Sequence, residues 1–266
     1  MHAAFSLESS LQRDRGIIIA GLAGIGMVSW AYLAYEAHRM YANGICSCAG
    51  MKMSGPDTEA WPAGTILPLF LMWAEMMVAM MVPTVAPTVL LFAQLNRKRR
   101  EQERPYVPAA VFLGGYLAVW TVFSLLIAVV QWALHGAALL SPMMTGQSAW
   151  LGGGLLLAAG LFQFTPWKHA CLRHCRSPLD FLLTGWREGR WGAFAMGSRN
   201  GAYCTGCCWV LMALLFVLGV MNVLWVAAIT GLVLAEKACP RGALIGRVAG
   251  VAMVAWGAWM VLRPVG

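Results

Sequence analysis

The chain has little charge. Of its 266 residues only 30 are Lys, Arg, Asp or Glu, 11% of the total, where an ordinary soluble domain carries about 25%. So few charges cannot cover a soluble surface, which excludes a soluble enzyme and a charged, disordered chain. Histidine is scarce too. There are five, none deep inside an apolar run, which argues against a haem–copper centre. Several catalytic signatures are missing: a Walker A motif, G-x-S-x-G, H-E-x-x-H, and a C-P-C ion-transport signature with a P-type phosphorylation domain. ATP-driven pumping by this chain alone is therefore not expected, and the sequence reads more as a carrier than as an enzyme. The net charge of +8 does not point to nucleic acid, because the basic residues fall between apolar runs.

Apolar residues make up 60% of the chain, many in runs of the length that spans a ~30 Å hydrocarbon core. The expectation is an all-α, polytopic transmembrane helical bundle forming one integral membrane domain over residues 1–266. Seven spans are predicted, at about 16–36, 65–93, 107–133, 148–165, 202–219, 221–236 and 243–262. The first follows Arg13 and Arg15 but has no A-x-A-like cleavage site, so it reads as a retained anchor. Residues 202–236 as one helix would measure about 52 Å, too long for a tilted span. Gly219 and Asn222 supply a break, giving a hairpin of two short helices. With the N-terminus cytoplasmic and the C-terminus outside, 16 of the 19 Lys and Arg lie on the inner side, as the positive-inside rule requires. That arrangement leaves an outer loop at 37–64 and an inner loop at 166–201. It places the protein in the bacterial inner (cytoplasmic) membrane, with the bilayer as its first partner.

Sulfur is plentiful: eight Cys and 17 Met. In the inner loop, Pro166 and Pro178 bracket a segment that can be helical. On a helix Cys171, His174 and Cys175 stand at i, i+3 and i+4 and share a face. Cys204, Cys207 and Cys208 repeat that spacing at the predicted start of the sixth span. Cysteines at a cytoplasmic surface are kept reduced, so thiolate chemistry is expected rather than a disulfide. Thiolate and thioether select Cu(I), Cys with His also holds Zn(II), and iron–sulfur ligation stays open. Packing is the competing reading, since free Cys is a common buried hydrophobe. The outer loop adds Cys46-Ser47-Cys48 and Met51-Lys52-Met53, a second soft-ligand set. In the second span Met72, Glu75, Met76 and Met80 form one stripe. Glu75 sits about ten residues in, where a carboxylate reads as functional by default. Met212, eight residues beyond Cys204 on the same face, is the expected facing thioether. Glu236 and Lys237 are expected to form an interfacial ion pair or to contact lipid.

Several of these motifs occur together in one order. They are Met51-Lys52-Met53, Met72-Trp73-x-x-Met76-x-x-Ala79-Met80-Met81-x-Pro83 and Thr165-Pro166-x-Lys168-x-x-Cys171-x-x-x-Cys175-x-Ser177-Pro178. Next come Gly201-x-x-Cys204-x-Gly206-Cys207-Cys208-Trp209-x-Leu211-Met212, Met221-Asn222-x-x-Trp225 and Glu236-Lys237. In this the chain resembles, over about residues 51–262, a bacterial family of predicted metal-binding integral membrane proteins, some of them labelled copper chaperones. The resemblance implies copper, as Cu(I), ahead of zinc or iron. It also implies a membrane protein that transports the metal or delivers it to a soluble donor or acceptor or to a membrane complex, as a monomer or an oligomer. The alternative is a redox enzyme or an accessory subunit of a membrane metalloenzyme.

Overall fold

Long apolar runs become long helices. The computed structural model describes residues 2–43, 62–100, 106–136, 149–220 and 222–262. Cys46, Cys48, Met51 and Met53 lie outside the described residues. Among the described residues there is no strand. The helices are α1 (His2–Asn43), α2 (Ile66–Arg100), α3 (Ala109–Gly136), α4 (Ala149–Phe162), α5 (Pro166–Arg176), α6 (Pro178–Thr184), α7 (Gly189–Ala213), α8 (Leu215–Leu218), α9 (Val223–Ala238) and α10 (Gly242–Leu262).

Five segments among the described residues are long and apolar enough to cross a membrane: Arg15–Arg39, Ala63–Arg99, Ala109–Gly136, Gly189–Leu218 and Gly242–Leu262. Two of the seven expected spans fall on shorter helices. α4 has 14 residues and α9 has 16, about 21 and 24 Å at ~1.5 Å each. The break expected between residues 219 and 222 is present. Gly219 has φ +92°, a conformation that disfavours residues with a Cβ, and the Asn222 side chain accepts from the Leu224 and Trp225 amides to cap α9. Residues 166–201, expected to lie between spans with a helical segment from Pro166, are largely helical. They hold α5, α6 and the first half of α7, so Cys204 lies mid-helix rather than at a helix start. Glycines at 192, 197 and 201 let that half pack closely.

Glycine sets the tightest crossings. A methyl at Gly197 of α7 would land on the Phe112 carbonyl of α3, and one at Gly115 of α3 on the Phe194 carbonyl of α7. Gly153 and Gly160 of α4 likewise face the carbonyls of Gly257 and Gly250 in α10. Such close approach of backbones is how helices associate where apolar side chains gain nothing by leaving lipid. α2 carries Pro83 and Pro87 in its interior. Pro83 has no N–H for the Ala79 carbonyl, and Trp30 Nε1 of α1 donates to that oxygen at 3.0 Å instead. This bond ties α1 to α2 where the helical ladder is interrupted.

Candidate metal centre

α5 begins where its sequence says it must. Thr165 caps it, accepting from the Lys168 amide at 3.3 Å, and Pro166 occupies the first turn, where no N–H is needed. At its far end the Arg176 guanidinium reaches the Cys239 and Pro240 carbonyls at 2.9 and 2.8 Å, closing the C-terminus of α9. Between them Lys168 Nζ meets both Glu236 oxygens at 2.8 and 2.7 Å, with the two side chains 2% and 1% exposed. Lys168 and Arg176 thus clamp α5 to α9 and the turn that follows it, while α5 lies against α7. Glu236 and Lys237 do not pair with each other. They lie on neighbouring faces of α9, and each finds a partner on another helix.

The clamp lays the Cys face of α5 on α7. Cys171 Sγ lies 3.0 Å from where a Cβ on Gly206 would be, so only glycine lets it approach so closely. Cys175 lines the same small cleft as Cys204 and lies in the electrostatic reach of Cys207. The neighbouring Cys207 thiol and burial push the Cys175 thiol well above the ordinary range, and burial raises Cys171 as well. On α7 the Cys207 and Cys208 thiols both donate to the Cys204 carbonyl, at 3.0 and 2.9 Å. The Cys204 thiol has its own surroundings. Lys237 Nζ of α9 stands 2.9 Å from its sulfur, the Tyr116 hydroxyl of α3 3.0 Å, and Met81 Sδ of α2 4.0 Å. Thr84 lies beneath, within 3.2 Å of Lys237 Nζ. Beside them opens a cleft of about 10 Å³, also lined by Thr88 and Asn200, which is room for about one water.

Cys171 and Cys175 of α5 therefore come together with Cys204, Cys207 and Cys208 of α7 in one region where α2, α3, α5, α7 and α9 meet. All six described cysteines are free thiols. Among the described residues no group of three or more His, Cys, Asp and Glu is already arranged as a metal site. His174 is not brought to the thiols. Its ring stacks on Tyr203 at 4.1 Å and its Nδ1 lies 2.9 Å from the Ala170 carbonyl. Met76, Met80 and Met212 are fully buried in the common core, and Met72 is half-buried. The thioether beside Cys204 is Met81, one residue off the expected stripe. Glu75 lies elsewhere, in the electrostatic reach of Glu36 and Tyr32 on α1, about 9 Å along α2 from Met81. Met81, Tyr116, Thr84 and the Lys237–Cys204 contact escape sequence reasoning. Only Met81 left a trace, as a neighbour of the Met stripe.

Residues 70–260 match the model of a family described as copper chaperone. No curated protein and no solved structure matches the chain.

Proposed function

This chain belongs to the copper chaperone family, and from that premise we propose that it is a multi-pass protein of the bacterial inner membrane. It binds Cu(I) on the thiols between α5 and α7, then transports the metal or delivers it to a soluble or membrane-bound partner. The observation behind this reading is the convergence of Cys175 of α5 with Cys204 of α7 on one small cleft, beside Cys207, Cys208 and the Met81 thioether. Thiolate with thioether is a donor set that favours Cu(I) over harder ions.

On the same reading the chain crosses the membrane seven times with its N-terminus inside, and α4 and α9 serve as short spans. Met72, Met76 and Met80 continue the thioether path along α2 from Met81 towards Glu75, with Met212 opposite. Thioethers hold the ion weakly enough to release it.

The test is a Cu(I) titration of the purified full chain against a chromophoric chelator. The parent is expected to bind at least about one equivalent. Replacing Cys175, Cys204, Cys207 and Cys208 together with Ser should weaken binding by more than about 100-fold, beyond the 10–100-fold typical when only a group supporting a ligand is lost. His174→Ala is expected to change little, because its ring is held on Tyr203. Unchanged affinity in the four-serine variant overturns the reading.

A further inference from the structure

Lys237 places an ammonium where its hydrogen bonds, among the described residues, go to a thiol and a hydroxyl rather than to a carboxylate. Its Nζ is 2.9 Å from Cys204 Sγ and 3.2 Å from Thr84 Oγ1. Glu236, next in sequence, is taken by Lys168. The side chain is half-buried and its amine lines the small cleft beside Cys175 and Cys204. A lysine that served only packing or lipid contact would extend its amine towards water or headgroups. This one turns inward onto sulfur.

We propose that Lys237 is the counter-cation of the loaded site and biases it towards a monovalent soft ion. The proposal rests on the reading above, that these thiols bind Cu(I). Two cysteine thiols that ligate one Cu(I) lose their protons to water, and the resulting bis-thiolate complex carries one negative charge. A Met81 thioether adds a ligand but no charge. An uncompensated charge in a dry interior is expensive, and the ammonium beside Cys204 makes the assembly neutral. A divalent ion on the same two thiolates would already be neutral, and Lys237 would leave it with an excess positive charge. The lysine thus strengthens the hold on Cu(I) and weakens the hold on Zn(II). It is a positioning residue, acting through Cys204 and not as a ligand.

The experiment compares Cu(I) and Zn(II) affinities of the full chain with K237M, K237Q, K237R, C204S and the double variant K237M/C204S, measuring metal-free thermal stability alongside. K237M and K237Q are expected to lose about 10- to 100-fold in Cu(I) affinity while Zn(II) affinity holds or rises. K237R keeps the charge and is expected to stay within about threefold of the parent. In the C204S background K237M is expected to cost little more, because the residue it acts through is gone. K237Q keeps a hydrogen-bonding side chain, so it serves if K237M folds poorly. Parent-like Cu(I) affinity in K237Q overturns the proposal, as does an equal loss for both metals. If the parent and the four-serine variant bind Cu(I) alike, the thiol reading itself fails and this proposal fails with it.

Discussion

At the scale of the residue, Lys168 and Glu236 make the most exposed wager in the molecule. Both are buried, and each satisfies the other through two short bonds. Removing one partner strands a charge, which typically costs about 3–5 kcal/mol, whereas replacing both with apolar groups of similar volume is often near neutral. K168M is therefore expected to lower the thermal midpoint of the detergent-solubilised protein sharply, and K168M/E236M to recover most of the loss. A double variant as unstable as the single one would show that the pair is not what fastens α5 to α9. The cysteine trios were legible in sequence because ligand-type residues at i, i+3 and i+4 state their face directly. The partnership of Lys237 with Cys204 was not, since two residues on different helices leave no periodic trace. Glu236 and Lys237 looked like a pair only because they are adjacent, and adjacent helical residues do not face each other.

At the scale of the element, the site depends on how closely helices approach. α3 and α7 cross on Gly115 and Gly197, and α5 reaches α7 over Gly206. In G197A the new methyl meets the backbone carbonyl of Phe112, which cannot swing aside as a side chain can. The helices must separate, at a cost of about 1–3 kcal/mol or more, visible as a lower thermal midpoint. G206A is gentler. Its methyl meets the Cys171 sulfur at 3.0 Å, so a rotamer change relieves it. Its expected effect is a several-fold loss of Cu(I) affinity, about 1 kcal/mol, with stability nearly unchanged. Equal stability in G197A and the parent would contradict the crossing. Element boundaries followed the sequence where local chemistry dictates them: Thr165-Pro166 opens α5, and Gly219 with Asn222 divides α8 from α9. The start of α7 did not: the span was expected from 202, whereas Gly192, Gly197 and Gly201 let the residues before it pack as helix.

At the scale of the whole molecule, apolar composition announced a helical membrane protein, and five segments among the described residues have the length and composition for it. The remaining two spans are a matter of topology. A reporter fused after Arg100 is expected to behave as cytoplasmic and one fused at Gly266 as extracytoplasmic. A cytoplasmic C-terminus would mean that an even number of segments cross. The account's central claim is that thiols from α5 and α7 hold one copper together, and X-ray absorption at the copper K edge of the loaded full chain addresses it most directly. The account predicts an edge of Cu(I) with sulfur as the nearest neighbours, about two or three of them, and a loss of sulfur scattering when Cys175 and Cys207 are both replaced by Ser. Nitrogen or oxygen neighbours in the parent, or an unchanged sulfur shell in that double variant, would contradict it.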